Sequence, residues 1–536
     1  MELTRKGIRD TEEWQKAGIR LPGYDVEALA ARTREKPVWV HFGIGNIFRI
    51  FIGGIADRLI EEGLWDRGVT CVEAFDYDVV DQIYNPFDNL VLAVTLYGDG
   101  TAEKRVLGSL GESLKAGTED ENDAARLKEI FSDPGLQMVS YTITEKGYAL
   151  RGADGEYLAW VRQDIEKGPN HASGAMALTA ALLYERYRTS GAPIALVSMD
   201  NVSRNGEKLR ESVLEISEAW AEKGYVPLGF LDYVRDEGRI AFPWTMIDKI
   251  TPRPSERIAD MLRENGVEHM EPVITSRKTY IAPFVNAEAP QYLVVEDRFP
   301  NGRPPLEKAG VYMTDRETVN CSERMKVTVC LNPLHTALAV YGCVLDYTLL
   351  ADEMKDEDLC RLVHQLGPVE GMKVVKDPGI ISPEKFIQEV IQVRFPNPFI
   401  PDTPQRIAVD SSQMMGIRFG ETVKAYVERY GSAECLTAVP LAVAGWCRYL
   451  LAVTDEGEPF ELSPDPMIGE LTTQLAGVRF GDPSSLEGQL KPILSNENIF
   501  GIDLYEAGIG EKIEEMFREE IAGPGAVRKT LQKYLK

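Results

Sequence analysis

Between Pro37 and Asp248, short β-branched runs alternate with helical segments, and this alternation constrains the chain more than any other feature. Residues 38–42 and 69–75 read as buried strands, with an amphipathic helix over 47–62 between them. Residues 137–143 and 193–199 are further strands of the same kind. Strand–helix–strand repetition gives a mostly parallel sheet covered by helices, because a parallel pair needs a crossover long enough to hold a helix. Past about residue 305 the texture changes, and 326–354, 384–393, 420–430, 436–453 and 508–522 all read as helical. The expected architecture is therefore α/β. A doubly wound sheet domain spans 1–300, including an amino-terminal extension, and a mostly α-helical domain spans 301–536. The Pro-, Gly- and charge-rich stretch 296–305 forms the junction.

Composition narrows the function classes. The chain has 59 Lys and Arg against 84 Asp and Glu, a net charge of -25. Nucleic acid and anionic membrane surfaces both select a basic face, so neither is expected as a partner. Residues 1–24 are charged throughout and lack the apolar core of a signal peptide, and the apolar stretch 436–453 is broken by Pro440 and Arg448. Seven scattered cysteines with no CxxC pair point to reduced thiols in the cytoplasm. Five isolated histidines give no ligand spacing, so no metal site is expected. The expected partner is a small molecule, bound by a monomer or small homo-oligomer.

After the first strand comes His41-Phe-Gly43-Ile-Gly45-Asn46-Ile-Phe48-Arg49. Two glycines at a strand-to-helix turn let the backbone approach a pyrophosphate, and the helix amino terminus offers free N–H groups. Phe48 stands where a third glycine is usual, and many such turns carry glycines for geometry alone. The second strand ends near Asp76, an acid placed to bind ribose hydroxyls and to favour NAD over NADP by repelling a 2′-phosphate. The alternative for Asp76 is a solvated loop acid.

The segment Lys326-Val-Thr-Val-Cys-Leu-Asn332-Pro333-Leu-His335 sets an ammonium, an amide and an imidazole within an apolar run. Burying them is costly unless each is partnered or used. An ammonium that can lose its proton, beside two groups that can hydrogen-bond a carbonyl oxygen, suits proton transfer to or from an alcohol. The bland alternatives are a solvated lysine and a satisfied core histidine.

These segments together resemble the mannitol dehydrogenase family, the polyol-specific long-chain dehydrogenases, a group that includes fructuronate and tagaturonate reductases. His41 to Arg49 is similar to its HFGxGNFxR opening, and Thr142-Ile-Thr144-Glu145-Lys146-Gly147-Tyr148 to its TxTEKGY motif. Asp200-Asn201-Val-Ser-Arg204-Asn205-Gly206 resembles DNxxxNG, and Met246-Ile-Asp248-Lys-Ile-Thr-Pro252 resembles MVDRITP. Glu296-Asp-Arg-Phe299, Leu331-Asn-Pro-Leu-His335, Arg394-Phe-Pro-Asn397-Pro398 and Asp410-Ser-Ser-Gln413 continue the likeness in order. The resemblance implies a Rossmann-type domain, a helical domain, an active site between them, and metal-independent hydride transfer between NAD(P)(H) and a polyol or ketose. It implies Lys326 as general acid/base, with Asn332 and His335 holding the reacting oxygen. It implies cofactor contacts from Gly43, Gly45, Asn46, Phe48, Arg49, Asp76, Thr144, Glu145, Lys146 and Asn201. Substrate contacts are expected from Asn201, Arg204, Asp248, Glu323 and Arg394. Asn201, Asn205, Asp248 and Glu145-Lys146 also read simply as turn or surface residues.

One spacing departs from the pattern. The family places its lysine five residues before the asparagine, whereas Lys326 lies six before Asn332. One extra residue turns an α-helix by about 100°, which would carry Lys326 off the Asn332/His335 face. A π-bulge between 327 and 332 would absorb it, and Pro333, which lacks an N–H, makes such a break easier. Arg204 and Arg394 are the candidate partners for a substrate carboxylate. The expected reaction is reversible reduction of a ketouronate, D-fructuronate to D-mannonate, with NADH. Tagaturonate reductase, mannitol or arabinitol dehydrogenase, and a catalytically inactive NAD-binding sensor are the alternatives.

Overall fold

Among the described residues, six strands build the main sheet: β1 (Trp39–Phe42), β2 (Val69–Glu73), β3 (Leu110–Lys115), β4 (Met138–Tyr141), β5 (Ile194–Ser198) and β6 (Ile240–Ala241). Their order is β3-β2-β1-β4-β5-β6 and every neighbouring pair is parallel. The order reverses between β1 and β4, which opens a crevice at the carboxyl ends of those strands where dinucleotides bind in such sheets. Strands β1, β2, β4 and β5 are buried along their whole length, as expected when helices cover both faces. Val40 and Phe42 join the core on one face, and Trp39, Cys71 and Met138 join the core on the other.

The computed structural model describes residues 1–117, 121–152 and 154–536, which form two units, Met1–Asn320 and Cys321–Lys536. The division falls at Asn320 rather than near residue 300 for a physical reason. Strand Tyr312–Thr314 pairs in parallel with Tyr292–Glu296, and Leu306 and Ala309 enter the first unit's core. The same unit carries a second sheet, in the order Ile19–Arg20, Ala102–Leu107, Val91–Leu96, Phe284–Glu288. The amino-terminal extension is tied down, with the Met1 ammonium donating to the Gly266 carbonyl at 2.6 Å.

The second unit is helical. Ala438–Tyr449 packs against both Asn332–Val344 and Gly510–Glu520, and Leu338, Tyr341, Trp446 and Met516 of these helices are fully buried. The helical run Arg316–Val344 is long and apolar enough to cross a membrane, but 78% of its apolar window is buried inside the protein, as a core helix should be. Several of its helices contain π-turns: Lys326–Cys330, Gln365–Glu370, Val390–Arg394 and Gly416–Gly420.

Candidate active site

In the first unit the chain leaves β1 through Gly43, whose φ is +85°. A Cβ there would lie 2.1 Å from the Thr142 carbonyl oxygen, so a side chain would displace the backbone. Gly45 is different: nothing stands within 4 Å of a Cβ built on it. Beside it the Asn46 Oδ1 is buried without a hydrogen-bond partner. One locked glycine, one open glycine and an unfilled amide acceptor fit a dinucleotide, with room for its phosphates and an acceptor for a hydroxyl or amide.

His41, Phe48 and Arg49 stand behind this turn rather than on its open face. His41 contacts Ser140 Oγ through Nδ1 (2.6 Å) and Thr142 Oγ1 through Nε2 (2.9 Å), and stacks on Phe48 at 4.0 Å. Burial lowers its pKa to about 3, so it stays neutral and fastens β1 to β4. Phe48 is fully buried. The Arg49 guanidinium is 1% exposed and donates to the Ala282 and Pro283 carbonyls at 2.7 and 2.8 Å. Phe48 and Arg49, expected at the cofactor, thus support the turn.

The acid beside the turn is Glu73, the last residue of β2. Its carboxylate accepts from the N–H groups of Ala74 (3.1 Å), Phe75 (3.0 Å) and Ile44 (3.4 Å), the last within the glycine turn itself. Burial raises its pKa while those backbone donors pull it back down. Asp76 is engaged elsewhere, its Oδ2 accepting from Thr275 Oγ1 (2.6 Å) and Thr279 Oγ1 (2.5 Å). Its other oxygen is buried and unpartnered.

The motifs at the ends of β4 and β5 divide into fasteners and presented groups. Asp200 accepts from the N–H groups of Ile143 (2.9 Å) and Thr144 (3.0 Å) and from the Tyr148 hydroxyl (2.6 Å), and so shapes the 143–148 loop. Thr144 takes a left-handed φ of +64° within it. Asn205 is 1% exposed and exchanges hydrogen bonds with Thr245. Gly206 lies against Trp244 and the Phe242 carbonyl, where a Cβ would sit 2.6 and 2.8 Å away. These residues leave Asn201, Thr144, Glu145 and Lys146 exposed, although Glu145 pairs with Lys208. Asp248 ends its strand almost buried. Arg204 is 58% exposed, pairs with Glu207 at 2.6 Å and lies over the Trp244 ring. Its charge is therefore balanced from within its own helix.

In the second unit the π-turn is present. Leu331 N–H donates to the Lys326 carbonyl at 3.0 Å, an i→i+5 bond, and the chain kinks at Leu331 before Asn332 opens the next α-helix with Pro333 in its first turn. A π-turn takes in one residue more than an α-turn, so it absorbs the extra residue between Lys326 and Asn332. Lys326 is 1% exposed, Asn332 and His335 are half-buried, and Glu323 lies one helical turn before the lysine, also half-buried.

His335 Nε2 lies 3.0 Å from Asp402 Oδ2, and Arg406 grips the other oxygen of Asp402 through Nε at 2.7 Å. Burial holds His335 below the usual imidazole range. The His335 and Arg406 contacts hold Asp402 below the usual carboxylate range against its own burial. At neutral pH the ring is therefore neutral with its hydrogen on Nε2, and Nδ1 is an acceptor. Phe395 stacks on the ring at 5.4 Å and 17°, and Arg394 before it is 4% exposed. Arg418 donates to the Thr336 hydroxyl, next along the helix from His335. Among the described residues no group of three or more His, Cys, Asp or Glu is placed to hold a metal ion.

Two family models match the chain, the mannitol dehydrogenase Rossmann domain over residues 38–308 and the mannitol dehydrogenase C-terminal domain over 318–519. The chain belongs to the mannitol dehydrogenase family. Its family relatives include a D-mannonate oxidoreductase of Thermotoga maritima, 53% identical over 99% of both chains. A polyol:NADP oxidoreductase of Gluconobacter oxydans is 28% identical over 87% of this chain and 90% of that one. Two solved structures at 24% identity share the fold. A substrate-free D-sorbitol dehydrogenase has a TM-score of 0.80 over 98% of this chain and 99% of that one. Pseudomonas fluorescens mannitol 2-dehydrogenase, in ternary complex with NAD and D-mannitol, has a TM-score of 0.71 over 99% of both.

Within this mannitol dehydrogenase-family chain, sequence reasoning missed Glu73, Asp402 and Arg418. Glu73 was hidden by reading the second strand to residue 75 rather than 73; a shorter strand would have made it the terminal acid. Asp402 and Arg418 lie 67 and 82 residues from the groups they touch, and no local spacing signals such contacts.

Proposed function

We propose that this chain is an NAD-dependent oxidoreductase that reversibly reduces D-fructuronate to D-mannonate. The observation that carries the reading is its 53% identity, over nearly its full length, to a D-mannonate oxidoreductase. The paired glycines and the acid ending β2 support NAD: Gly43, Gly45, Asn46 and Glu73 would hold it, with Asn201, Thr144, Glu145 and Lys146 presented at neighbouring strand ends. An acid at this place accepts ribose hydroxyls and disfavours a 2′-phosphate. When bound, NADH supplies the hydride to the carbonyl carbon and NAD accepts it in reverse.

The chain's own groups handle the proton. In reduction Lys326 gives a proton to the carbonyl oxygen, and in oxidation it takes one from the hydroxyl. The Asn332 amide donates to the same oxygen, stabilising charge as it develops. His335, with its hydrogen committed to Asp402, accepts through Nδ1 and so orients a hydroxyl of the substrate. Asp402 and Arg406 fix that tautomer and Phe395 fixes the ring plane. Cytoplasmic location belongs to the same reading, and all seven cysteines are free thiols.

The test is NADH oxidation measured against D-fructuronate, tagaturonate, fructose and xylulose. The highest kcat/KM should fall to fructuronate. Preference for a neutral ketose would overturn the substrate assignment, and tight NADH binding without turnover of any of the four would indicate the sensor instead.

A further inference from the structure

Among the described residues, Arg49, Arg186 and Arg448 are fully buried and Arg418 is half-buried, all with little or no carboxylate help, and the first three solve the problem in the same way. Arg49 donates to two backbone carbonyls. Arg186 donates to the carbonyls of Phe131, Asp133, Leu136, Ala192 and Pro193. Arg448 donates to the Val453, Thr454 and Glu520 carbonyls. Arg418 is the exception. Its hydrogen bond is to one neutral hydroxyl, that of Thr336, in place of backbone carbonyls, and its Nε, like that of Arg49, is buried with no partner. Burial alone, with no acid to offset it, lowers its pKa to about 10, so it remains charged at neutral pH. Asp402, the carboxylate on His335, is already shared by His335 and Arg406.

The backbone holds Arg418 in this position. It lies in the π-turn Gly416–Gly420, whose terminal glycines press against the chain at Ile499 and Phe500; a Cβ on Gly420 would lie 1.8 Å from the Phe500 carbonyl oxygen. The turn packs on the helix that carries Asn332 and His335 and on the π-turn that carries Lys326. The charge of Arg418 acts on His335. A half-buried guanidinium with an unpartnered Nε–H, beside the proposed reacting groups, lacks one thing: an anion with two oxygens.

We propose that Arg418 receives the substrate's carboxylate and is the residue that selects sugar acids over neutral ketoses. This rests on the ketouronate reading above. It moves the selecting role away from Arg204, whose charge Glu207 already balances.

The test compares wild type, Arg418→Met and Arg418→Lys with D-fructuronate and D-fructose. It also measures the thermal shift caused by D-mannonate in the presence of NAD. With Arg418→Met, kcat/KM for fructuronate should fall by about 10²–10³-fold, and far less for fructose. The mannonate-induced shift should vanish while the NAD-induced shift persists. Arg418→Lys keeps the charge but not the fork, and should lose an intermediate factor; it also serves if the methionine variant fails to fold. Arg418→Met should melt no lower than wild type, because it removes a half-buried cation that no acid offsets, whereas an arginine kept for structure would lower the melting temperature. Equal losses on both substrates, with wild type still preferring fructuronate, would overturn the role of Arg418 and leave the proposed function standing. A wild type that does not use fructuronate would overturn both.

Discussion

At the glycine turn of the first unit nearly every polar motif residue is spent on the protein itself. His41 is divided between two hydroxyls, Arg49 between two carbonyls, and Asp200 and Asn205 among neighbouring loops and strands. What remains for a ligand at the turn is backbone, open space, the Asn46 amide oxygen and the Glu73 carboxylate. The segment Lys326–His335 and its neighbours are arranged the other way. Asp402 and Phe395 hold His335 so that one ring nitrogen stays an acceptor, and Arg418 keeps donors in hand. Binding a large, invariant cofactor asks for shape, and shape comes from saturated hydrogen bonding. Moving a proton and choosing a substrate ask for side chains set at particular places, and Lys326, Arg394 and Arg418 all lie in π-turns, out of ordinary helical register.

The contrast predicts different failures in the two regions. In the first unit the largest should come from Gly43→Val. A side chain at φ +85° against the Thr142 carbonyl must move the turn, and NADH affinity by fluorescence titration should drop by roughly 10²-fold or more. Asp402→Ala should leave NADH affinity unchanged but lower kcat by about 10–100-fold, as expected for a group that orients a reacting side chain. Full activity in that variant would mean that the tautomer of His335 is immaterial.

Fastening residues should show up in stability instead. His41 has a folded pKa of about 3 against about 6.5 when unfolded. The unfolded chain therefore binds the extra proton, and this contribution to stability is lost as pH falls from 6.5 towards 3. His41→Gln should flatten the slope of stability against pH by up to about 1.4 kcal/mol per pH unit between pH 6 and 4, read by urea unfolding. The smallest effect should come from Arg204→Ala. Its exposed pair with Glu207 contributes little, and kcat/KM with fructuronate should change by less than about 3-fold.

The main sheet was legible because its strands are short, β-branched runs that need no distant information. Expected ends at residues 38 and 42, or 193 and 199, differ by at most one residue from those observed. The second sheet was not legible. It pairs Phe284–Glu288 with Val91–Leu96, nearly two hundred residues apart, and its strand Ala102–Leu107 begins with Ala-Glu-Lys-Arg, which has no strand character. The site divided in the same way. Lys326, Asn332 and His335 stood out as polar groups in an apolar run, and the need for a π-turn followed from counting residues. Glu73, Asp402 and Arg418 acquire meaning only through contacts made in three dimensions.

The claim that the π-turn at Lys326–Cys330 keeps Lys326 in the chemistry is tested most directly by Lys326→Ala. Single-turnover NADH oxidation with saturating D-fructuronate should slow by about 10²–10⁴-fold, while NADH affinity stays within about two-fold of wild type. A variant that turns over as fast as wild type would contradict the assignment and leave the buried lysine without a part in proton transfer.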